Sequence, residues 1–477
     1  MRIIPDTAAK YTLRDAAEAC RGTALSGSVS ALALPLSPIA TDSREVERGD
    51  VFIALKGERF DGHDFIALAL SHGAACIICE RGRAEVADGV TIIEVDDTLS
   101  ALGDIAAGYL DRVSPKLVAA VTGSVGKTTT KEYLAALLSV KYKTHKTSGN
   151  FNNLIGLPLT ILSMPADTEA LVLEMGMSAE GEIRRLSEIA RPNIALITVI
   201  GSSHIEHLGS RENICRAKCE VLENVRPGGR VYLPADEPLL DGVGSDRFDT
   251  LRVSLSGSGG GLRAENVESV ELCTRADLVG YGESYPALIF PTLGLHCLAD
   301  ALLAVEAVRD LGFGYEEIRR GLLAYRPAGM RQLIRHIGDM TVIEDCYNAS
   351  PESMRASLDV LASLGGDSGG RRVALLGDMY ELGEHSEEIH FEVGRYAAKK
   401  VELLFTLGAQ SAAIARGALS AGMPCERIFS FDDVSLYREC GERIAELLEP
   451  GDLLLAKASR ATAAERAIAA FEEAIRK

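Results

Sequence analysis

The chain has 477 residues, too many for a single hydrophobic core, and this length predicts about three domains. A hydrophobic content of 47% and a charged content of 25% are ordinary for a soluble globular protein. The formal net charge of −18 repels nucleic acid and anionic membranes, so we expect no nucleic-acid partner, and an anionic ligand must be held by local lysines, arginines and metal ions.

The N-terminal segment, residues 1–6, has no apolar signal region, and no apolar run in the chain approaches the length of a membrane span. We therefore expect a cytoplasmic protein that does not span a membrane, and we expect it to be a monomer. The ten cysteines are scattered, and the pair with C-x-x-C spacing, Cys76 and Cys79, lies inside an apolar run. That run predicts a core strand rather than a zinc or redox site.

The first unit, residues 1–112, alternates short apolar runs with helical patterns, which predicts a small α/β domain. The runs are at residues 51–55, 65–71, 75–79, 91–95 and 99–110. Two polar stretches, residues 41–44 and 56–63, stand out between them. On spacing alone, each is explained more simply as a solvated turn than as a site.

The second unit, residues 113–328, opens with the strongest motif of the chain. An apolar run at residues 118–121 leads into T-G-S-V-G-K-T-T at residues 122–129, and a helix-forming segment follows at residues 131–140. Strand, glycine loop and helix in that order are the context of a phosphate-binding loop. The spacing is shorter than in the standard Walker loop, and an ordinary glycine turn with a solvated lysine is the alternative. The buried strand and the helix favour the nucleotide loop.

The residues of this loop suit a polyphosphate. Gly123 and Gly126 let the backbone approach without an intervening Cβ, and the first N–H groups of the helix face the anion. Lys127 can reach the outer phosphates, and the Thr128 hydroxyl is placed to bind Mg²⁺.

Two further apolar runs, residues 170–176 and 194–204, read as central strands of a parallel sheet. Ligands of such sheets bind beyond the carboxyl ends of the strands, and Lys127, Glu174 and His204 all fall at that edge. A glutamate and a histidine there could bind a hard metal ion, although histidine is unusual for Mg²⁺. Taken singly, either residue is more simply structural.

Lys218 lies on the apolar face of a helix predicted over residues 212–225, because its neighbours one turn away are Ile214, Cys215, Val221 and Leu222. One interpretation is a lysine whose stem packs while its charged end reaches solvent. The other is a desolvated amine that reacts with CO₂ to give a carbamate, which would turn a cation into a metal-binding anion.

Residues 256–261 predict a flexible glycine loop within a hairpin excursion covering residues 250–290, and a strong helix follows over residues 294–303. Proline and glycine at residues 326–329 mark a boundary. The third unit, residues 329–477, repeats strand and helix and predicts a doubly wound, Rossmann-like domain without a dinucleotide motif. Its predicted strands are at residues 341–344, 373–376, 403–407, 427–431 and 453–456.

These motifs together resemble the Mur ligase family over the whole chain. The loop at 122–129 is similar to the family's ATP motif, and further family blocks follow in order at residues 150–153, 174–176, 204–206 and 217–220. Other stretches resemble the member of the family that adds D-alanyl-D-alanine; they are residues 41–44, 49–55, 345–351 and 376–383.

The resemblance implies an α/β protein of three domains. Residues 1–112 would form a small α/β domain that binds the UDP-sugar, and residues 113–328 a central P-loop ATPase domain with a mainly parallel sheet. Residues 329–477 would form a Rossmann-like domain for D-alanyl-D-alanine and part of the nucleotide. It implies an ATP-dependent amide ligase of peptidoglycan synthesis, which joins D-alanyl-D-alanine to UDP-N-acetylmuramoyl-tripeptide through an acyl phosphate. We expect the third domain to close over the second, since water would hydrolyse that intermediate.

The resemblance also implies residue roles. Catalysis would use Lys127, Glu174, His204 and Lys218. Two Mg²⁺ ions would be bound by Thr128, Glu174, His204 and the carbamate of Lys218. The residues implied in ATP binding are Gly123, Ser124, Val125, Gly126, Lys127, Thr128, Thr129, Asn153, His296, Asp300, Arg331, Asp345 and Asn348. Those implied in substrate binding are Ser43, Arg44, Asp61, His63, Asp378 and Lys457.

Some positions depart from the family pattern. The H-N-x-x-N block has Cys297 and Asp300 in place of its asparagines, one of which contacts adenine in relatives. The K-G-S-R block has Ala458 as its second residue, and one residue, Met330, is inserted in the G-R pair that ends at Arg331. None of these changes affects the predicted metal or phosphate groups.

Three alternatives remain beside this interpretation. A relative that adds diaminopimelate or lysine would carry a D-N-P-R block in the third unit, and none is found there. Folylpolyglutamate synthase would need a pterin site, which residues 41–44 do not suggest. A nucleotide-binding scaffold without catalysis would explain the changes at Cys297 and Asp300, but the four predicted catalytic residues argue against it. The sequence does not distinguish lysine from diaminopimelate at the third position of the tripeptide.

Overall fold

A computed structural model describes residues 1–25, 29–57, 59–85, 88–255, 261–364 and 369–476. Residue 58 of the first polar loop and residues 256–260 of the predicted glycine loop lie outside the described residues. Within these ranges the chain forms four β-sheets, three of six strands and one of three. No helix in the described ranges has the length and apolar character needed to cross a membrane.

The first sheet has a parallel centre with antiparallel edges, in the order β1-β3-β4-β5-β6-β2. Cys76 and Cys79 are buried in β5, which confirms that they are strand core. The strands are β1 Arg2–Ile3, β2 Thr23–Ala24, β3 Ile39–Ala40, β4 Val51–Ile53, β5 Cys76–Glu80 and β6 Thr91–Val95, and the helices are α1 Leu13–Ala19, α2 Val29–Leu32, α3 Ile66–Ser71 and α4 Thr98–Val113.

The central sheet is entirely parallel, in the order β12-β11-β10-β7-β9-β8. Its strands are β7 Leu117–Thr122, β8 Thr144–Lys146, β9 Ala170–Glu174, β10 Ile194–Ile197, β11 Gly229–Pro234 and β12 Phe248–Val253. Its helices are α5 Lys127–Leu138, α6 Gly156–Leu162, α7 Glu182–Ala190, α8 Ile205–Leu208, α9 Arg211–Cys219, α10 Leu295–Asp310 and α11 Tyr315–Ala324.

Strand β7 is apolar throughout because both faces of this sheet are covered. Val118 and Ala120 belong to one hydrophobic core, whereas Ala119 and Val121 belong to the core on the opposite face. Alternate side chains of a strand point to opposite faces, so a strand buried on both sides needs a continuous apolar run.

Three predicted boundaries in this unit are wrong. The run at 194–204 is a strand only to Ile197, after which the chain leaves the sheet as a loop. Helix α5 begins at Lys127 rather than residue 131, because the first turn continues directly from the glycine loop. The helix predicted over residues 212–225 is α-helical only to Cys219 and continues as a 3-10 helix, Glu220–Asn224.

The hairpin predicted over residues 250–290 is partly confirmed. Strands β13 Arg263–Val270, β14 Cys273–Gly280 and β15 Glu283–Phe290 form an antiparallel sheet of three strands. The beginning of the predicted excursion is different, since Phe248–Val253 is the edge strand β12 of the central sheet.

The third unit is a doubly wound sheet in the order β16-β17-β21-β18-β19-β20. The five predicted strands are present and parallel, and an antiparallel edge strand that the sequence did not predict, β16, precedes them. The strands are β16 Leu333–Ile337, β17 Met340–Asp345, β18 Arg372–Gly377, β19 Leu403–Leu407, β20 Ile428–Phe431 and β21 Leu453–Lys457, and the helices are α12 Pro351–Leu364, α13 Ser386–Ala397, α14 Ala412–Ser420, α15 Tyr437–Leu447 and α16 Glu465–Ile475.

The first two units share one hydrophobic core. That core runs continuously from Ile3 of the first sheet to Leu240 beyond the central one. Helix α4 joins the units: the hydroxyl of its Tyr109 donates to the carbonyl of Met164, and a Cβ built on its Gly103 would lie 2.8 Å from Ile189 of α7. The junction near residue 112 is therefore packed as tightly as an interior.

Helices α13 and α14 approach each other through two glycines. A Cβ built on Gly394 would lie 1.9 Å from the carbonyl oxygen of Ile414, and one built on Gly417 would lie 1.9 Å from that of Phe391. Gly394→Ala should therefore destabilise the third unit by about 1–3 kcal/mol through overpacking. Urea denaturation measures this change. Gly242→Ala is the matched control, because nothing lies within 4 Å of its added Cβ. Equal midpoints for the two variants would contradict the close approach.

Candidate functional site

The loop between β7 and α5 has a conformation that requires glycine at two positions. Gly123 has a φ of +142° and Gly126 a φ of +89°. A Cβ built on these residues would lie 1.9 Å from Thr198 Oγ1 and 2.1 Å from Asp300 Oδ1, respectively. Within the described residues no side chain caps the first N–H groups of α5. These N–H groups and the positive end of the helix dipole are therefore available to a phosphate.

The side chain of Lys127 folds back onto the backbone of this loop. Its ammonium group donates to the carbonyl oxygens of Gly123, at 2.9 Å, and Ser124, at 3.1 Å. Burial lowers the pKa of Lys127, and the nearby Glu174 partly opposes this while Arg331 adds to it. A phosphate bound by the loop would supply the negative charge that this desolvated ammonium lacks.

Thr128 and Glu174, the pair predicted to hold one metal ion, are in direct contact. The Thr128 hydroxyl donates to Glu174 Oε2 at 2.9 Å, and Glu174 is only 2% exposed. The other carboxylate oxygen accepts from Asn152 Nδ2 at 2.8 Å. Lys131 Nζ lies 3.6 Å from Glu174 Oε2 and donates to the carbonyl of Thr147. A carboxylate held by this many partners has a fixed orientation.

The neighbouring asparagines have different positions from the ones expected. Asn153, predicted to bind ATP, is exposed, and its side-chain oxygen accepts from the N–H groups of Ile155 and Gly156 at the start of α6. Asn152 contacts the site instead. Both belong to one N-F-N-N block, and no sequence pattern distinguishes them.

Lys218 is completely buried. Its side chain is 0% exposed, so the interpretation in which the charged end reaches solvent is wrong. Across the described ranges, Lys218 Nζ has no hydrogen-bond partner. Burial, and secondarily the charge of Lys127, lower its pKa well below the usual 10.5. A lysine that is neutral and unpartnered is the form that reacts with CO₂.

His204 follows β10 and precedes α8. It has a left-handed backbone, φ +68°, and its Nδ1 lies 2.5 Å from Glu381 Oε2 of the third unit. This contact holds the pKa of Glu381 below its usual value, and His207 and Lys127 add to the effect. Glu381 is not among the site residues predicted from the sequence. Its partner is 177 residues away in the chain (381 minus 204) and belongs to another unit.

A cleft with a cavity volume of about 110 Å³ lies between the glycine loop, helix α10 and the third unit. Predicted ATP-binding residues from all three elements line it: Ser124, Val125, Gly126, Lys127, Thr128, Thr129, His296, Asp300, Arg331, Asp345 and Asn348, together with Lys457 from the predicted substrate set. A second cleft of about 260 Å³ adjoins the first and shares Ser203, Asn348, Ala349 and Ser350.

The third-unit side of the main cleft is preorganised by ion pairing. Lys457 Nζ donates to Asp345 Oδ2 at 2.6 Å and to the carbonyl of Asn348 at 3.2 Å, and Lys457 is 2% exposed. Burial opposes ionisation of Asp345, but the charge of Lys457 outweighs it and keeps the pKa of that carboxyl below its usual value. The Arg331 guanidinium stacks over the ring of Tyr347 at 4.1 Å.

Asp300 and His296 mark the side of the cleft formed by α10. His296 Nε2 lies 3.1 Å from Gln332 Nε2, and burial lowers the pKa of His296 to about 4. Asp300 is 8% exposed, and its carboxyl packs against Gly126. Burial raises the pKa of Asp300 well above its usual value, although Thr130, Arg331 and Lys127 oppose the shift. Asp300, which stands where the family pattern has an asparagine, therefore carries a carboxyl group that favours its neutral form.

The substrate residues predicted in the first unit lie away from this cleft. Ser43 and Arg44 follow β3, and Asp61 and His63 follow β4. The Arg44 guanidinium is largely exposed and pairs with Asp42. His63 is buried: its Nδ1 lies 2.6 Å from Asp61 Oδ1, and its Nε2 accepts from the N–H of Glu80. These contacts give His63 a role inside its own unit.

Asp378, predicted to bind substrate, is also engaged internally. It is 3% exposed, and its Oδ1 accepts from the N–H of Ser411 at 2.7 Å. A Cβ built on Gly408 would lie 2.5 Å from this carboxylate. The residues of the same block that reach a cleft are Tyr380, Glu381 and Leu382.

Thr128 and Glu174 offer a divalent cation a hydroxyl and a carboxylate beside the phosphate-binding loop. In the part of the chain that the structure describes, no three histidine, cysteine, aspartate or glutamate side chains converge as a closed metal cage. Mg²⁺ does not require one, since it keeps several waters and binds one or two carboxylates with substrate phosphates. Thr128 and Glu174 beside a phosphate-binding loop fit that pattern.

The three units match three family models in chain order. They are described as the Mur ligase family, catalytic domain, over residues 36–110; the Mur ligase middle domain, over residues 121–308; and the Mur ligase, glutamate ligase domain, over residues 331–460. The chain belongs to the Mur ligase family.

Individual relatives agree with this assignment. The chain is 40% identical to the UDP-N-acetylmuramoyl-tripeptide–D-alanyl-D-alanine ligase of Bacillus subtilis, over 94% of this chain and 96% of that enzyme. MurF from Acinetobacter baumannii superposes with a TM-score of 0.86 at 30% identity, covering 98% of this chain and 99% of that one. MurF ligase from Thermotoga maritima in complex with ADP has a TM-score of 0.81 at 31% identity, covering 92% and 97%. The predicted family and the predicted α/β fold class are confirmed.

Asp300→Asn should change the pH dependence of stability. Because the folded-state pKa of Asp300 is raised above the usual 3.8, the folded chain retains a proton that the unfolded chain releases. Stability then falls as pH rises from about 4 towards the folded-state pKa, by up to about 1.4 kcal/mol per pH unit. The asparagine variant should be more stable at pH 7, with a flatter profile above pH 4, as measured by urea denaturation. Asp246→Asn, at an exposed aspartate, is the control. Parallel profiles for wild type and Asp300→Asn would contradict the assignment.

Proposed function

We propose that this protein is an ATP-dependent ligase that joins D-alanyl-D-alanine to UDP-N-acetylmuramoyl-tripeptide in the synthesis of the peptidoglycan precursor. The observation that carries the proposal is one cleft between the second and third units that Lys127 and Thr128 line, with the Thr128 hydroxyl bound to the carboxylate of Glu174. The relative from Bacillus subtilis is named for this reaction and matches nearly the whole chain. Because ATP and a nucleotide-linked sugar are cytoplasmic metabolites, we place the reaction in the cytoplasm.

In this proposal each of the three units binds a different part of the substrates. Residues 1–112 would bind the UDP-sugar end, residues 113–328 ATP, and residues 329–477 the D-alanyl-D-alanine and part of the nucleotide. The boundaries are supported by the glycine loop within the second unit and by the clefts at its border with the third. In the first unit Arg44 is the best placed for a diphosphate, because its guanidinium is 82% exposed. Ser43, Asp61 and His63 would shape that end, the last by fixing Asp61.

The first chemical step is phosphoryl transfer. The terminal carboxylate of the tripeptide attacks the γ-phosphorus of ATP, the bond to the bridging oxygen breaks, and ADP leaves with that electron pair. Such a step needs little covalent help from the protein and depends on in-line positioning and cancelled charge. The N–H groups at the start of α5 hold the phosphates, and the ammonium of Lys127 compensates the charge on the transferred group.

The second step forms the amide. The free amine of D-alanyl-D-alanine attacks the carbonyl carbon of the acyl phosphate, the carbon–oxygen bond to phosphate breaks, and the amine loses a proton. Water must be excluded while the acyl phosphate exists. The second cleft adjoins the first and lies against the third unit, so it is a suitable entry for the amine. Its Arg460 offers a positive charge to the carboxylate end of the dipeptide.

Two Mg²⁺ ions would complete the site, supplying positive charge to the phosphates and to the attacking carboxylate. Thr128 and Glu174 would hold one of them, which their 2.9 Å contact supports. His204 and a carbamate of Lys218 would hold the other. The support for the carbamate is the buried and unpartnered Nζ of Lys218, which would gain two anionic oxygens. On the nucleotide side, His296, Asp300, Arg331, Asp345 and Asn348 would surround the remainder of ATP.

Phosphate release with a panel of amines tests the function. With ATP and UDP-N-acetylmuramoyl-tripeptide, D-alanyl-D-alanine should be preferred over diaminopimelate and lysine by about 100-fold or more, because an amine with the wrong polar groups leaves buried partners unpaired. Faster release with UDP-N-acetylmuramoyl-dipeptide and diaminopimelate or lysine would favour the related ligase instead. Lys127→Ala is the inactive control and should lose about 10²–10³-fold in rate while keeping its circular dichroism spectrum.

Lys218→Ala should reduce ligase activity by about 100-fold, and formate or acetate should restore part of it by replacing the carbamate oxygens. Arg216→Ala, an exposed cation on the same helix, is the control. Isotopically labelled CO₂ provides a direct measurement, since wild type should show a carbamate carbon in its NMR spectrum and the Lys218 variant should not. The absence of both the carbamate signal and rescue would remove this group from the mechanism.

A further inference from the structure

Two carboxylates of the third unit bind the loop that follows β10 in the second unit. Glu352, in the first turn of α12, accepts from the N–H of Ser202 at 3.0 Å and from its hydroxyl at 2.8 Å, both through Oε1. Glu381, after β18, lies with Oε2 2.5 Å from His204 Nδ1 and accepts the N–H of Glu206 through its own carbonyl at 3.3 Å. We call these two contacts, Glu352 with Ser202 and Glu381 with His204, the clasp.

The backbone on both sides of the clasp is strained. His204 has a φ of +68° and Glu381 a φ of +65°, and neither residue is glycine. Such a conformation is unfavourable for a residue with a Cβ and persists only where the surroundings hold it. Here two loops from different units present their strained residues to each other. The strain is therefore balanced by contacts that exist only while the third unit lies on the second.

The Glu381 contact also determines which nitrogen of His204 is available. The Glu381 carboxylate lies against the Nδ1 side of the imidazole, 2.5 Å away, so Nε2 is the nitrogen on the side away from Glu381. Histidines that bind metals commonly donate their other nitrogen to a carboxylate, which fixes both the tautomer and the ring orientation. Glu381 occupies that position for His204, although it comes from a different unit of the chain.

We infer that Glu381 is a positioning residue for His204, and that the clasp makes the second metal position complete only when the third unit is closed on the second. This inference rests on the proposed function, because it takes His204 as a metal-binding residue. In the open state the imidazole would lose its carboxylate partner and its fixed orientation. The ion at Thr128 and Glu174 depends on the second unit alone and would not change.

This dependence would control when ATP reacts. The phosphates and the first ion could bind the open protein, since the loop and Glu174 are complete within the second unit. The second ion would enter in the right geometry only after closure, when water is already excluded. The chain would thereby avoid transferring the γ-phosphoryl group before the acyl phosphate can be protected.

Metal binding tests the clasp without relying on turnover. Mn²⁺ replaces Mg²⁺ in electron paramagnetic resonance titrations of the protein with a non-hydrolysable ATP analogue and UDP-N-acetylmuramoyl-tripeptide. Wild type should bind two ions. Glu381→Ala should bind the first ion normally and the second about 10–100-fold more weakly. Glu381→Gln, which retains a polar oxygen of the same reach beside Nδ1, should recover most of the loss. Glu384→Ala is the matched control, because Glu384 is nearby and its side chain is 90% exposed.

Spin labels on the second and third units provide the second measurement. Glu352→Ala and Glu381→Ala should each lower the closed fraction with the same ligands, and Glu384→Ala should not. The inference is overturned if Glu381→Ala binds both ions with wild-type affinity, or if wild type binds a single ion. A wild type that binds two ions but does not use D-alanyl-D-alanine would contradict the proposed function and leave the clasp supported.

Discussion

The contact between the Thr128 hydroxyl and the Glu174 carboxylate is the constraint on which the rest of the site depends. It exists because β7 and β9 are parallel neighbours whose register pairs Val121 with Glu174. On the other side of β7, the register pairs Thr122 with Ile197 of β10. Three strand ends therefore meet at one edge of the sheet. A slip of one residue in β9 would turn Glu174 to the opposite face, and the glycine loop would lose its acidic partner.

An acidic chain can bind a polyphosphate because its cations are concentrated and desolvated at this edge. Lys127, Lys131 and Lys218 all lie near Glu174, and two of them have pKa values lowered by burial. A buried cation interacts more strongly with an arriving anion than an exposed one does, since the local dielectric is lower. The net charge of −18 is spread over the remaining surface, where it does not oppose a ligand enclosed by these groups.

The sequence predicted the parts of the fold that depend on local pattern. Continuous apolar runs identified most strands of the two parallel sheets, and the glycine loop identified one edge of the cleft. The features that it did not predict depend on tertiary contacts. Edge strand β16 has only one buried residue, Ile337, and its weak alternation gave no signal. Asn152 rather than Asn153 reaches Glu174, and His63 is held inside its own unit, for reasons that depend on how separate segments pack. Glu381 could not be predicted, because its partner is in another unit.

The interface between the first and second units differs from the interface between the second and third. This difference indicates which unit moves when the site closes. The first and second units share a continuous hydrophobic core, which resists relative movement. The third unit meets the second through a few apolar side chains, such as Leu293 and Ile205, and through polar contacts of Glu352, Glu381 and Gln332. Polar interfaces between domains generally permit motion. A ligase that holds its nucleotide-sugar rigidly and closes over the amine with the remaining unit needs one stiff joint and one that opens.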